Sequence, residues 1–342
     1  MAANHANQSL MKAATYTEYG PPEVLKLADV EKPSPEDNEV LIRIRATSVT
    51  SGDVNGRNFV FVPPGFNLLA RLMMGVREPK NKILGIELAG EVVATGKDVT
   101  RFSVGDQVFG MDGEKMGAYA EFKTLAEDGP LALMPDNISS EEAASIPFGA
   151  TTAYYFLQDK GQIKRGQKVL INGASGGVGV YAVQLASHFG GQVTGVCSTA
   201  NLDLVKDLGA SKVIDYTQED FTQNGETYDL IFDTVVGQTS YSRIKRSLKP
   251  DGVYLAVAGG MREMLQTMST SMFGGQKVSG GAAAERQEDL FFLKELIESG
   301  DLKPVIDRCY SLDDIVEAHR YVDTGRKKGA VVVTVIKEDG SP

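Results

Sequence analysis

The chain has 342 residues, which is enough for two domains of ordinary size. Its 35 basic and 45 acidic residues leave a net charge of −10, which argues against nonspecific binding to nucleic acid or to an anionic membrane. The two cysteines, Cys197 and Cys309, exclude a disulfide framework and favour a reducing, cytoplasmic compartment. The polar first ten residues do not resemble a signal peptide.

The first third of the chain predicts β structure. Residues 39–49, "EVLIRIRATSV", alternate apolar and charged side chains as a half-exposed strand does, and shorter segments at 87–96 and 105–111 are set off by glycines. The apolar segment 59–76 is broken by prolines, so it predicts no membrane span. We expect this segment to be a lid or a pocket wall for a bulky apolar substrate, and a buried structural role is the alternative.

From about residue 136, strands and helices alternate. Ser139 or Ser140 is a candidate helix cap, followed by acidic residues in the first turn. The alternation predicts a parallel sheet with helices on both faces, built from the segments "KVLIN", "QVTGVCS", "NLDLVKDLG", "KVIDY", "YDLIFDTV", "TSYSRIKRSL" and "GVYLAVAG".

The segment 169–186, "VLINGASGGVGVYAVQLA", joins a predicted strand to a predicted helix through glycines. It has the G-x-G-x-x-G spacing with alanine in the first place, over Ala174–Gly179. Gly176 allows the backbone to approach a pyrophosphate, and Gly179 allows the helix to pack closely on the sheet. The free N–H groups and the positive dipole of the helix point to the loop. A ligand-free turn is the alternative, but the surrounding β-α-β pattern favours a dinucleotide site.

The pattern changes again after Gly259. Met264, Met268 and Met272 are four residues apart, which indicates a core face or an adaptable apolar pocket. An amphipathic helix follows and ends at Gly300, and "GAVVVTVI" is a closing strand. This order suggests that the end of the chain returns to the first domain.

Taken together, these segments resemble the medium-chain dehydrogenase/reductase superfamily, in its zinc-free, zeta-crystallin-like quinone oxidoreductase branch. The resemblance runs from Met11 to Ile336 and includes "NEVLIRIRATSVTSGD", "LGIELAGEVVATG", "IPFGATTAYYFL" and "VIDRCYSLDDIVEAHRYVDTG". It implies an α/β protein in which a GroES-like, β-rich catalytic domain carries an inserted Rossmann domain. We place the catalytic domain at 1–135, the Rossmann domain at 136–270 and the return to the catalytic domain at 271–342.

The positions that hold catalytic zinc in related alcohol dehydrogenases have other residues here. The cysteine three residues before Asp53 is Thr50, the histidine of the Gly-His-Glu motif is Ile86, and the third ligand falls near Pro147. A catalytic zinc site needs about three Cys, His or carboxylate ligands, so we expect no metal. The scattered histidines are expected to lie on the surface or in helix packing: His5, His188 and His319.

The end of the second Rossmann strand predicts NADPH. An NAD site usually has an acid there, whereas this chain has Ser198. Tyr216 matches a position that contacts the 2′-phosphate in related reductases, although Ala200 and Asn201 stand where a basic residue is expected. The cofactor-binding residues that we expect are Thr151, Ala174, Ser175, Gly176, Gly177, Val178, Gly179, Ser198, Tyr216, Val257, Ala258 and Gly259.

Without zinc to hold an alkoxide, a conjugated acceptor is the expected substrate, either a quinone or an α,β-unsaturated carbonyl. We expect catalytic residues at Thr50, which would bond the nicotinamide ribose or the substrate, and at Asn55 or Arg57, which would polarise the carbonyl. The alternative for Arg57 is a structural ion pair with Asp53. The final proton is expected to come from water.

Other functions stay open at this point. An enoyl-thioester reductase would need a basic patch, for which Arg71, Arg77, Lys80 and Lys82 are candidates. A zinc-free alcohol dehydrogenase-like enzyme and a non-catalytic NADPH-binding protein are further alternatives. We also expect a homodimer, because an apolar edge strand at 252–259 would be left open in a monomer.

Overall fold

The computed structural model describes residues 10–60, 75, 78–235, 238, 241–257 and 275–336. The strands within these ranges are β1 (Leu10–Thr15), β2 (Lys26–Glu31), β3 (Glu39–Ser48), β4 (Glu87–Thr95), β5 (Gln107–Met111), β6 (Phe122–Ala126), β7 (Leu131–Leu133), β8 (Lys168–Asn172), β9 (Gln192–Cys197), β10 (Lys212–Asp215), β11 (Tyr228–Asp233), β12 (Leu248–Val257), β13 (Lys277–Gly281), β14 (Ile306–Ser311) and β15 (Ala330–Thr334).

The α-helices within the same ranges are α1 (Ser51–Asn58), α2 (Ser140–Ala143), α3 (Pro147–Tyr155), α4 (Gly179–His188), α5 (Leu202–Asp207), α6 (Tyr241–Ile244), α7 (Gln287–Ser299) and α8 (Ile315–Asp323). Ser139 caps α2 as expected, because its side chain accepts from the backbone N–H of Glu142 and the Glu142 side chain accepts from that of Ser139. In this part of the chain, no helix is long and apolar enough to cross a membrane.

Six parallel strands form one sheet, in the order β10-β9-β8-β11-β12-β13. The chain therefore starts in the middle of the sheet at β8 and builds outward first to one side and then to the other. Ligands of such sheets bind outside the carboxyl ends of the strands, where the winding changes direction. The predicted alternation is confirmed, and the loop after β8 lies at that point of the sheet.

The expected edge strand is not at the edge. We placed the open edge at 252–259, but β12 has β11 on one side and β13 on the other. The sequence of β13, "KVSGG", is too short and too rich in glycine to be recognised as a strand. Among the described strands, the open edge on this side of the sheet, to which a second copy could add, is therefore that of β13 and not that of β12.

A second sheet has the order β14-β15-β3-β4-β5-β7, with β6 also paired to β3. Strand β15 pairs antiparallel with β3, so that Val332 faces Ser48. The end of the chain thus completes the sheet that its first third began. This topology confirms the expected fold class, a β-rich domain interrupted by a Rossmann-type domain.

The parallel sheet continues past residue 270, where we placed the boundary. Strand β13 belongs to it, and Leu290 and Leu293 of α7 pack in the same core as Val169 of β8. The chain rejoins the other sheet at β14. One continuous apolar cluster also includes Ala46 and Phe109, so the two sheets share a core.

Candidate active site

The glycine loop connects β8 to α4 with a backbone that needs glycine at two points. Gly173 has φ of +81°, which is the left-handed region. A Cβ on Gly179 would lie 2.1 Å from the Gly173 carbonyl oxygen, whereas a Cβ on Gly176 would approach that oxygen only to 3.4 Å. Gly179 is therefore required for packing, whereas a Cβ on Gly176 would make only an ordinary van der Waals contact.

The same loop presents unused donors. The backbone N–H groups of Gly177 and Val178 have no acceptor within the described ranges. They lie at the N-terminus of α4, a helix of ten residues, where the helix dipole favours an anion. Below the loop, buried Asp233 accepts from the Asn172 amide at 2.9 Å and from the Tyr254 hydroxyl at 2.8 Å, which ties the ends of β8, β11 and β12 together.

The other expected cofactor residues differ in their burial and in their position relative to this loop. Ser198 follows β9 and is half-buried beside the loop, and Tyr216 follows β10 with 63% of its surface exposed. Thr151 is buried, and its hydroxyl donates to the Pro147 carbonyl within α3 at 2.6 Å. Val257 ends β12, while Ala258 and Gly259 lie outside the described residues, as do the methionine stripe and nearly all of the lid segment.

Helix α1 begins at Thr50 with a reciprocal capping arrangement. Thr50 accepts from the Asp53 backbone N–H at 3.1 Å, and the Asp53 carboxylate accepts from the Thr50 backbone N–H at 2.9 Å and from its hydroxyl at 2.6 Å. Asp53 also accepts from Gly85 N at 2.9 Å. The Thr50 hydroxyl is thus used as a donor to Asp53, and only its oxygen is left to accept a bond from a ligand.

Arg57 is a structural residue in this arrangement. It is fully buried, its Nε donates to the Gly20 carbonyl at 3.0 Å, and its Nη2 pairs with Asp323 at 2.6 Å. Its Nη1 donates to His319 Nδ1 at 2.8 Å. The guanidinium has no surface on which to polarise a substrate carbonyl, so we correct that expectation. The alternative was right about an ion pair but named Asp53 where the partner is Asp323.

His319 continues this buried network. Because Arg57 can only donate, His319 Nδ1 is an acceptor, and its Nε2 then donates to the Tyr119 hydroxyl at 3.1 Å. Burial and the nearby Arg57 charge lower the pKa of His319 to about 3, so the ring is neutral. Tyr119 in turn lies against the Asp53 carboxylate, and burial together with that charge raises the pKa of Tyr119 well above its ordinary value.

Asn55 is the remaining catalytic candidate. Its side chain is half-buried on α1 and makes no hydrogen bond to the part of the chain that the structure describes. An amide offers both donors and an acceptor. Of the two residues proposed to polarise a carbonyl, Asn55 is the one whose polar group is not already used.

The chain resembles known dehydrogenases and reductases over most of its length. The chain matches the alcohol dehydrogenase GroES-like domain over residues 36–136 and the zinc-binding dehydrogenase family over residues 208–333. It is 34% identical to the 2-methylene-furan-3-one reductase of Solanum lycopersicum over 95% of this chain and 79% of that protein. It is 32% identical to the chloroplastic quinone-oxidoreductase QR1 of Triphysaria versicolor over 95% of this chain and 98% of the relative.

A solved structure superposes on nearly the whole of this chain. The quinone oxidoreductase from Coxiella burnetii superposes with a TM-score of 0.84 at 30% identity, over 96% of this chain and 100% of that one. The chain belongs to the quinone oxidoreductase branch of the medium-chain dehydrogenase/reductase superfamily.

Zinc does not fit this member of the superfamily at the ligand positions of its alcohol dehydrogenases. The side chains of Ile86 and Pro147 have no ligating atom, and the Thr50 hydroxyl, whose proton is donated to Asp53, is not one of the Cys, His or carboxylate ligands that a catalytic zinc site needs. The adjacent Glu87 is buried, and its carboxylate already accepts from the Ser48 hydroxyl and from Phe148 N, the latter at 2.6 Å. No group of three or more His, Cys, Asp or Glu side chains is placed for a metal within the described ranges.

Glu87 and Lys327 are two charged residues near the loop that our sequence reasoning missed. Burial raises the pKa of Glu87 to about 7 and lowers the pKa of Lys327. The Lys327 ammonium donates to the Val49 carbonyl at 3.4 Å, and a Cβ on Gly177 would lie 3.1 Å from it. Because 150 residues separate Lys327 from Gly177, no local pattern indicates that they meet.

Proposed function

We propose that this protein is an NADPH-dependent oxidoreductase that reduces a quinone or an α,β-unsaturated carbonyl without zinc. The relatives named above include a quinone oxidoreductase and a furanone reductase, and another, from Arabidopsis thaliana, is named NADPH-dependent alkenal/one oxidoreductase. The observation that carries the proposal is the pairing of a glycine loop suited to a dinucleotide with ligand positions that do not fit zinc. Both lie where the two sheets meet.

The glycine loop suits the pyrophosphate of the cofactor. The N–H groups of Gly177 and Val178 have no acceptor among the described residues, a Cβ on Gly176 would come no closer than 3.4 Å to another residue, and Lys327 adds a positive charge next to Gly177. When bound, NADPH supplies a hydride, and the protein has to orient the acceptor and stabilise the charge that develops on its oxygen.

A conjugated acceptor suits the residues at the start of α1. Thr50 has an oxygen that can accept from a hydroxyl of the cofactor ribose, because its own proton is committed to Asp53. Asn55 offers an amide N–H to the oxygen of the acceptor. A quinone or an enone places on this oxygen the negative charge that develops during hydride transfer. We assign the final proton to water.

The preference for NADPH over NADH rests on the end of β9. Ser198 stands where an acid would repel a 2′-phosphate, and exposed Tyr216 on the next loop offers a hydroxyl. Tyr216 and Ser198 are thus proposed cofactor contacts. Thr151 and Val257 are proposed as wall residues of the same site, since the side chain of Val257 is apolar and the Thr151 hydroxyl donates within its own helix.

We also propose that the protein is a cytoplasmic homodimer. No strand pairs with the outer edge of β13 among the described residues, and an open edge is a template for a second copy. The two free cysteines are consistent with a reducing compartment. Light scattering at micromolar concentration tests the dimer, and a monomer mass would refute it.

The activity is tested with chelator-treated protein, by following NADPH oxidation with 9,10-phenanthrenequinone, a simple enone and an enoyl thioester side by side. A simple alcohol is assayed with NADP⁺ in parallel. We expect turnover with the quinone or the enone and little with the alcohol. The fastest rate on the alcohol, a marked preference for the thioester, activity that requires added zinc, or no turnover at all would each overturn the proposal.

A further inference from the structure

Three polar side chains meet between the glycine loop and the end of β9. The Asn201 amide Nδ2 donates to Ser175 Oγ at 3.0 Å and to Ser198 Oγ at 3.3 Å. Ser175 belongs to the glycine loop, and Ser198 is the residue at which a NAD-binding site usually has its acid. The backbone holds the two loops together here, since Ala174 N donates to the Val196 carbonyl at 3.0 Å.

Asn201 has no evident structural task of its own. It stands at the N-cap position of α5, where Asn is favoured, yet its side chain makes no capping hydrogen bond. Only 8% of the residue is exposed, and its Oδ1 is buried without a partner among the described residues. A buried polar atom without a partner costs stability, so such an atom calls for an explanation.

The hydrogen bonds of Asn201 leave both serine hydroxyls able to donate to a ligand. An amide nitrogen only donates, so both serine oxygens act as acceptors toward Asn201, and each hydroxyl hydrogen is left over. Neither hydroxyl donates to another residue within the described ranges. Both serines are half-buried and not covered, so a ligand at the junction of the two loops can reach them.

We propose that Ser175 and Ser198, oriented by Asn201, form an uncharged site for the 2′-phosphate of NADPH, and that Asn201 is the positioning residue for cofactor preference. This inference rests on the proposed function. Phosphate oxygens only accept, so two hydroxyl donors suit them, and bonds to a charged acceptor are stronger than neutral ones. The arrangement takes the place of the basic side chain that is absent at Ala200 and Asn201.

The central test is Asn201→Asp, which keeps the shape and replaces the donating nitrogen by a carboxylate oxygen. Both serine hydroxyls would then donate to residue 201, and a negative charge would lie close to the 2′-phosphate. We expect NADPH affinity to fall roughly 10- to 100-fold, as for the loss of one or two charge-assisted bonds. NADH affinity should change less than about threefold, because NADH has no phosphate there.

Dissociation constants for NADPH and NADH are measured directly by calorimetry, independently of any acceptor. A second variant, Ser198→Ala, removes one donor without adding charge and should lower the NADPH preference in the same direction. Asn137→Asp is the matched control, since Asn137 also donates through Nδ2, to the Ile297 carbonyl at 2.9 Å. Its ratio of NADPH to NADH affinity should equal that of the wild type.

An equal loss of affinity for both cofactors in Asn201→Asp would show a merely structural role and overturn the inference. So would an unchanged ratio in either Asn201→Asp or Ser198→Ala. The binding experiment separates this inference from the proposed reaction: a ratio that shifts as expected supports it even if no quinone or enone is turned over. A wild-type protein that binds neither cofactor contradicts both.

Discussion

The glycine loop and the start of α1 lie on the two sides of the proposed site and are built in different ways. The loop works through backbone groups of consecutive residues, Gly173 to Gly179, and its geometry follows from where a Cβ can and cannot fit. The start of α1 works through side chains whose partners are far away, such as Arg57 with His319 and Asp323. A single substitution in the loop therefore affects mainly the loop, whereas a single substitution at the start of α1 removes several hydrogen bonds to distant residues.

We expect the largest loss from a substitution at Arg57, in the network at the start of α1. Replacing it by Met leaves the buried His319 Nδ1 and the Gly20 carbonyl without their donor, and a buried polar group left unsatisfied costs about 1–3 kcal/mol, whereas Asp323 keeps access to water. We expect that loss in the free energy of unfolding, measured with urea. Arg43→Met is the control, since the Arg43–Glu91 pair is partly exposed and such pairs contribute about 0–1 kcal/mol. A stable Arg57→Met variant with lowered turnover would restore the catalytic hypothesis.

The next prediction compares substitutions at two glycines of the same loop. Gly176→Val should fold, because a Cβ there meets nothing closer than 3.4 Å, but the side chain would fill the space for the pyrophosphate. We expect NADPH affinity to fall about 100-fold, as for the loss of one or two charge-assisted bonds. Gly179→Val places a Cβ 2.1 Å from the Gly173 oxygen and should unfold the loop. Calorimetry and thermal melting distinguish the two, and normal NADPH binding by Gly176→Val would refute this account of the loop.

Glu87 offers a test by pH. Burial raises the pKa of Glu87 from its ordinary 4.5 to about 7, so the folded protein binds more protons than the unfolded chain between these values. The free energy of unfolding therefore falls as pH rises through this window, by about 1–3 kcal/mol. Glu87→Gln lacks this contribution, so its stability relative to wild type should rise between pH 4.5 and 7 and then level off. A difference that is independent of pH would contradict the raised pKa.

The smallest effect is expected at Tyr216. Tyr216→Phe removes one exposed hydroxyl, and a single hydrogen bond at such a site contributes about 0.5–1.5 kcal/mol. NADPH affinity should fall roughly three- to tenfold, with NADH affinity unchanged. Equal effects on both cofactors would remove Tyr216 from the proposed 2′-phosphate contacts.

The sequence could predict the features that depend on residues close together in the chain, but not those that depend on contacts between distant residues. The parallel sheet, the glycine loop and the cap at Ser139 could be predicted because each depends on residues that are close together in the chain. Strand β13 was missed because five residues with two glycines give no strand pattern. Arg57 was assigned wrongly and Lys327 was missed, because their contacts join residues more than a hundred positions apart. Asn201 was noted only for lacking a charge, since its bonds to two serines depend on how two loops meet.

We propose that this protein transfers hydride to a conjugated acceptor at a site that does not use zinc. The most direct measurement is a reaction of chelator-treated protein with NADPH dideuterated at C4 of the nicotinamide and a simple enone, with the product analysed by mass spectrometry and NMR. We predict deuterium at the β-carbon of a saturated ketone. Deuterium at the carbonyl carbon of an allylic alcohol would contradict the claim.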